Sequence, residues 1–346
     1  MDDRHMPLEQ VSGRLDEDDP PASPAGRIAV GIILNPKHSA TLRAYAELVP
    51  QLRKAGAHYR SMTTSVERSG RWQAEQLVRW GADTVIVLGG DGTIRATAPV
   101  LAEADILIFL VPTGTANVLS RHIGLRSSRH AIDQCVRTIA STIRGAPPTH
   151  RSVPINTAEF QTADGIRHRA DFISLAGIGG DARAVAHHHA APGLLGYAWG
   201  AARALFAADF TASTDFAART GETSSTGGTA SAPVWSVMAS KVARPAGPIA
   251  VFPEAHIDAQ TFSMLTVGPF AHSPIAACRA WAGIAAACLQ GRPDAHPFMN
   301  YRVTTEVTVS VESPVPAQLD GDLFGDCLEL RVSAGEKTLR VSAPAS

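Results

Sequence analysis

The chain has 346 residues, 45% of them apolar and 18% charged, with 31 Lys and Arg against 32 Asp and Glu, and four cysteines. At roughly 150 residues per domain this is length for about two domains, which excludes a disulfide-stapled miniprotein and a wholly disordered chain. A net charge of −1 excludes non-specific nucleic-acid binding and strong adhesion to anionic membranes as properties of the whole molecule, so only a local patch can do either.

Residues 1–26 hold Asp2, Asp3, Glu9, Asp16, Glu17, Asp18 and Asp19 without the apolar stretch of a secretory signal, and read as a disordered acidic tail. From Arg27 the text alternates apolar runs with helical patterns, which predicts βαβ units and a parallel sheet. Ile28–Leu34 reads as a buried strand ending at Asn35-Pro36. A helix follows, with Leu42, Ala46, Val49 and Leu52 on one face and Gly56 at its end, and then a second helix, Trp72–Trp80, closed by Gly81. Thr84–Leu88 is the next strand, followed by GGDGT at 89–93 and a helical run from Ile94. Ile106–Val111 is another, followed by PTGTAN at 112–117 and a further helix. Ile132, Val136, Ile139 and Ile143 mark an amphipathic helix that Gly145-Ala146-Pro147-Pro148 ends.

After Arg151 the pattern turns to short β-rich runs: Asp171–Leu175, Val234–Ala239, Phe262–Val267, Val303–Val311 and Cys327–Val332. The Thr/Ser/Gly stretch Thr220–Ser231 reads as a loop. The expected architecture is a layered α/β domain over 27–150, joined by 333–346, followed by an antiparallel β domain over 151–332. Cys135, Cys278, Cys288 and Cys327 are scattered without a CxxC pair, so neither a disulfide framework nor a zinc knuckle is indicated and a reducing cytoplasm fits. Pro274–Leu289 is the most apolar long segment, but Arg279 interrupts it and it falls short of the roughly 18 to 20 residues that cross a bilayer. The protein therefore reads as soluble or peripheral.

Two glycine-rich turns carry the chemistry. In Gly89-Gly90-Asp91-Gly92-Thr93 the missing side chains let backbone N–H groups approach an anion, and the helix behind directs its positive end toward it. Gly114-Thr115-Ala116-Asn117 repeats the arrangement one strand later, so two turns could grip one polyphosphate. An Asp-Gly pair also makes ordinary hairpin turns, but the text after Thr93 is helical. Neither GxxxxGK[ST] nor a strand-bound GxGxxG occurs, which removes the specific support for a P-loop or a dinucleotide fold.

Asn35-Pro36-Lys37-His38-Ser39, GGDGT and PTGTAN, in that order and spacing, resemble the catalytic domain of the diacylglycerol kinase family, whose relatives include bacterial lipid kinases and the sphingosine and ceramide kinases. The resemblance continues through Ala176-Gly177-Ile178-Gly179-Gly180-Asp181-Ala182, Gly196-Tyr197 and Gln318-Leu319-Asp320-Gly321-Asp322. It implies an α/β nucleotide-binding domain and a β-sandwich domain for lipid substrate, with ATP held in the cleft between them, Mg²⁺ as its ion, and transfer of phosphate to a lipid hydroxyl. The positions matching the family's nucleotide contacts are Asn35, Pro36, Ser39, Thr64, Gly89, Gly90, Asp91, Gly92, Thr93, Ile94, Arg95, Gly114, Thr115 and Asn117. Asp322 matches the proton acceptor of the bacterial members, Asp320 is a second candidate, and Asp91 is a candidate partner for Mg²⁺ or the substrate hydroxyl. The implied partners are a lipid substrate at a membrane surface and, for oligomeric state, a homodimer, with no nucleic acid; the implied location is cytoplasmic with peripheral membrane association.

The chain departs from that pattern in three places. Arg95-Ala96 follows the GGDGT helix start where the family has Asn-Glu, Asp322 is one methylene shorter than the usual Glu, and Ala259 stands where the resemblance places the carboxylate of a structural cation site. That cation site is expected to be lost, with the adjacent Asp258 on the other face of a strand. His187-His188-His189 reads as a solvated helix face rather than a metal site. Arg121, Arg126, Arg129, Arg137, Arg144 and Arg151, with Asp133 as the one acid among them, form a basic patch that reads equally as a solvated surface or a dock for anionic headgroups. Leu194–Phe206 reads as core by default. Two readings stand beside the lipid kinase: a phosphotransferase like NAD kinase, because GGDGT is shared with that superfamily, and a catalytically weakened nucleotide- or lipid-binding protein.

Overall fold

The computed structural model describes residues 28–189, 205, 208–216, 230–245, 247, 249–270 and 273–344. The acidic tail, Gly196-Tyr197, the 194–206 stretch apart from Leu205, and residues 220–229 lie outside these residues. Two compact units divide the chain: the residues up to Val153 with those from Lys337 onward, and Pro154–Glu336.

The first unit is built on β1 (Ala29–Leu34), β2 (His58–Thr63), β3 (Thr84–Gly89), β4 (Leu107–Pro112), β5 (Arg151–Pro154) and β16 (Thr338–Val341), ordered β2-β1-β3-β4-β16-β5 in one sheet. β1 pairs in parallel with both β2 and β3, and β4 with both β3 and β16. Every residue of β1 and β3 is buried, which explains why these strands read as unbroken apolar runs: helices cover both faces of a parallel sheet. The helices are α1 (Ser39–Lys54), α2 (Arg71–Arg79), α3 (Asp91–Glu103), α4 (Val118–His122) and α5 (Ser128–Ile143). α1 packs against α5, and α2 against α3.

The α1 core face differs from the predicted one. Thr41, Ala44, Leu48 and Leu52 are buried, while Leu42 is 37% exposed. The buried Thr41 hydroxyl donates to Thr113 Oγ1 at 2.8 Å, and that polar anchor turns the helix away from the face apolar residues alone would choose. The helix after β3 also begins earlier than predicted, at Asp91 instead of Ile94, because an acid in a first turn stabilises the helix start.

The second unit holds β6 (Asn156–Thr162), β7 (Arg167–Phe172), β8 (Leu175–Gly179), α6 (Gly180–His189), β9 (Phe210–Phe216), β10 (Ala230–Val234), β11 (Ser236–Ser240), β12 (Phe262–Val267), α7 (Pro274–Leu289), β13 (Met299–Thr304), β14 (Glu306–Leu319) and β15 (Asp322–Ser333). These ten strands form one hydrogen-bonded sheet whose recorded pairings are antiparallel. Its largest core cluster, with Phe160, Phe172, Ile178, Phe262, Val309 and Leu330 among its members, draws its buried residues from the strands alone, so the sheet packs against itself as a sandwich. β14 makes the corner. Its residues 307–311 pair with β9 and 317–319 with β8, with register shifts between 310 and 315 and between 317 and 318, the bend that bulges give a strand.

Three predicted strands are broken where a hydrogen bond captures the backbone, non-local in the first two and local in the third. Asp171–Leu175 splits into β7 and β8 because the amides of Ile173 and Ser174 bond a side chain. Val234–Ala239 splits at Trp235, whose N–H donates to Val267 O and whose O accepts from Gly180 N. Val303–Val311 splits at Thr305, where the Thr304 hydroxyl both donates to Glu306 O and accepts from Glu306 N. Among the described residues no helix is long and apolar enough to cross a membrane.

Candidate functional site

Register brings the residues of the first unit's site to one edge. Thr63 lies beside Leu34, Leu34 beside Leu88, and Gly89 beside Pro112, so the next residues, Thr64, Asn35, Gly90 and Thr113, emerge together. The order β2-β1-β3-β4 reverses chain direction between β1 and β3, and α/β sheets bind ligands at the carboxyl ends beside such a switch point. Asn35 donates from Nδ2 to Thr93 Oγ1 at 3.3 Å across this point, and the Thr64 amide donates to Leu34 O at 2.9 Å.

The two glycine turns meet as backbone against backbone. A Cβ on Gly114 would lie 2.5 Å from Gly90 Cα, closer than any side chain tolerates. Asp91 fastens them: its carboxylate accepts from the amides of Val118 at 3.0 Å and Leu119 at 3.3 Å, at the start of α4. Asn117, in the left-handed region at φ 46°, closes the second turn by accepting from Gly114 N at 3.0 Å and donating to Gly114 O at 2.6 Å.

These bonds take one amide of the second turn, that of Gly114, away from an anion. The 118, 119 and 114 amides are already engaged, and the carboxylate expected to meet a metal or a substrate hydroxyl serves as the cap of α4. In the first turn the start of the helix stays open. The amides of Thr93 and Ile94 return to Gly90 O, which by helix geometry leaves the Gly92 amide without an intrahelical acceptor at the positive end of a 13-residue helix. Ile94 is 1% exposed, so only its backbone can face a ligand. Ser39 and Thr115 are exposed, and Pro36 and Arg95 half-buried; Ser39 Oγ accepts from Arg43 at 3.2 Å. Sequence reasoning missed the Thr41–Thr113 hydroxyl pair, which carries no signal beyond two common residues 72 positions apart.

A Gly114→Ala variant is expected to force the turns apart and destabilise the first unit by about 1–3 kcal/mol, the usual overpacking penalty. Denaturant titration checks it. Wild-type stability would mean that the two turns do not meet backbone against backbone.

The second unit gathers the remaining motifs. The β14–β15 hairpin turns through Asp320 at φ 51° and Gly321 at φ 85°. The Asp320 carboxylate accepts from the amides of Ile173, Ser174 and Leu175 at 2.9, 2.7 and 3.1 Å, and its own amide donates to Leu175 O. Asp320 is thereby plugged into the β7–β8 link, whereas Asp322 stands half-buried at the start of β15. Gln318 accepts from Gly321 N at 2.9 Å and donates to Asp181 at 2.9 Å, so the Ala176–Ala182 and Gln318–Asp322 segments form one network. Ser236 also donates to Asp181, at 2.6 Å. Burial pushes the Asp181 carboxyl above the usual range, and the two donors oppose that shift.

Asp258 and Ala259 lie in the turn before β12 and not in a strand, contrary to expectation. Ala259 offers its carbonyl, which accepts from the buried Lys241 ammonium. Burial lowers Lys241 to about 8, with Asp258 opposing the shift, and Phe262 faces the ammonium at 5.4 Å. Among the described residues no group of three or more His, Cys, Asp or Glu side chains gathers to hold a metal. The six arginines of the basic patch are all exposed, and Arg129 pairs with Glu47 at 3.4 Å.

Comparison with known proteins agrees with the motifs. Residues 29–146 match the model of the diacylglycerol kinase catalytic domain, so the expected resemblance holds over that stretch. The diacylglycerol kinase of Mycobacterium tuberculosis (strain H37Rv), like that of strain CDC 1551, is 31% identical over 88 residues, 25% of this chain and 28% of the relative. The match therefore spans little more than a quarter of these relatives. A crystal structure of a Bacillus anthracis str. Sterne diacylglycerol kinase superposes with a TM-score of 0.59 at 15% identity, covering 92% of this chain and 97% of the other. A second Bacillus anthracis str. Sterne structure, of a candidate diacylglycerol kinase, gives 0.68 at 16%, covering 92% and 99%. Yeast NADH kinase complexed with NADH gives 0.50 at 12%, covering 92% and 84%. At these identities the structures share the fold: an α/β unit with a parallel sheet and an antiparallel sheet unit.

Proposed function

We propose that the protein is a lipid kinase that transfers the γ-phosphoryl of ATP to a hydroxyl of a diacylglycerol-like or sphingoid lipid. The observation that carries this reading is the welded pair of glycine turns at the switch point, with the α3 start as anion cradle, over a stretch that matches the diacylglycerol kinase catalytic domain. Phosphoryl transfer asks mainly for positioning and charge neutralisation. The Gly89–Thr93 turn supplies backbone amides and a helix dipole for the phosphates, and Asn35 and Thr93 set its outer border. Mg²⁺, when bound with the nucleotide, supplies neutralisation of phosphoryl charge; the absence of a three-acid cluster among the described residues fits an ion held largely by phosphates and water. Asp322 accepts the proton of the attacking hydroxyl, while Asp320 holds the hairpin that presents it.

The test is transfer from γ-labelled ATP to a panel of diacylglycerol, ceramide, sphingosine and NAD. Labelling of a lipid supports the reading. Labelling of NAD alone would replace it with an NAD-kinase-like activity, and ATP binding without transfer would replace it with the weakened binding protein that Arg95-Ala96 suggests.

A further inference from the structure

Helix α7 is apolar on both sides, and among the described residues only one side is covered. Ala277, Ile284 and Cys288 are buried, with Ile284 and Cys288 in a cluster that also contains Trp235, Phe252 and Leu265. On the opposite side Ile275, Cys278, Ala282, Ala285, Ala286 and Leu289 all stand exposed, at the three- and four-residue spacing that puts them in one stripe. Ile275 is 68% exposed and Leu289 73%. A helix that is hydrophobic all round belongs in a core or against a membrane, and 16 residues reach about 24 Å, too short to cross one.

Charge decides what covers the stripe. No Asp or Glu occurs from 259 to 293, and the charged residues in that run are Arg279 and Arg292, both exposed. Arg279 flanks the stripe and Arg292 follows its C-terminal end, with exposed Asp294 the next acid in the short turn that packs against the helix; an apolar stripe with this cationic margin has the chemistry of a helix lying in the interface of an anionic bilayer, with aliphatic side chains below the headgroups and guanidinium groups among them. We propose that the outward face of α7 is a membrane-contact surface that seats the second unit on an anionic lipid bilayer. The proposal deepens the lipid-kinase reading and rests on it for its purpose, since a diacylglycerol-like acceptor resides in such a surface.

The test uses the full chain and vesicles of phosphatidylcholine with and without phosphatidylglycerol. The double variant Ile275→Glu/Leu289→Glu changes only exposed side chains and so preserves the fold. It is expected to lower partitioning onto phosphatidylglycerol vesicles by about tenfold or more, as loss of two inserted side chains and gain of two like charges demand. A fluorophore on Cys278 is expected to shift to shorter wavelength when vesicles are added. Phosphorylation of a monomerically dispersed short-chain diacylglycerol is expected to be unchanged. Unaltered vesicle binding in the variant overturns the proposal, as does a variant whose only change is from dimer to monomer, which assigns the face to a second copy. Loss of binding in Arg137→Glu but not in the α7 variant overturns it in favour of the α5 arginines. Vesicle binding through α7 with no transfer to any lipid upholds this surface and defeats the kinase reading. Transfer to the short-chain acceptor with no vesicle binding does the reverse.

Discussion

Replacing Asp320 by alanine is expected to lower the unfolding free energy by about 3–5 kcal/mol, although the residue makes no contact assigned to substrate. The substitution strips three backbone amides of their acceptor at once, and each buried donor left unsatisfied costs roughly 1–3 kcal/mol. It also places alanine at φ 51°, a left-handed conformation that Asp and Asn tolerate better than other side chains. Asp320→Asn retains one acceptor oxygen and the tolerance of that turn, so its loss should be clearly smaller. Denaturant titration of the three proteins gives the comparison. Equal stability in wild type and Asp320→Ala would show that the carboxylate does not secure the β7–β8 link.

Two residues along, the expectation inverts. Asp322→Asn should leave stability and ATP affinity close to wild type and reduce lipid phosphorylation by about 10²- to 10⁴-fold, the usual contribution of a positioned general base. The side chain is isosteric, so packing at the start of β15 is preserved while the proton acceptor is lost. Asp322→Glu should retain measurable turnover, because it extends the carboxylate by one methylene and a displacement near an ångström tunes a preorganised site without removing the base. Steady-state kinetics with a dispersed acceptor, alongside ATP titration, separates the terms. Full turnover in Asp322→Asn would reject its assignment as base.

What the sequence disclosed and what it concealed follow one physical division. β1, β3 and β4 were legible because strands buried on both faces must be apolar throughout, and their ends position Asn35, Gly90 and Thr113 without further information. The break at Ile173–Ser174 was not legible, because its cause is a carboxylate about 146 residues away. The same holds for Asp91. Its type and its place in GGDGT suggested an acid facing a ligand, but its partners are amides 27 and 28 residues later, and no local pattern announces a cap on another helix. The α1 face failed for a related reason: periodicity counts apolar residues, and a buried hydroxyl pair outweighed one leucine.

The first unit is assembled from two stretches of chain, and this imposes an order on its synthesis. β16, residues 338–341, stands between β4 and β5 in the sheet, so β5 has no neighbour until the ribosome has made the whole of Pro154–Glu336. All ten strands of the second unit precede β16 in the chain and need nothing made later. Vectorial synthesis therefore lets the antiparallel unit complete its sheet while that of the first unit is still open, and the parallel sheet is closed last.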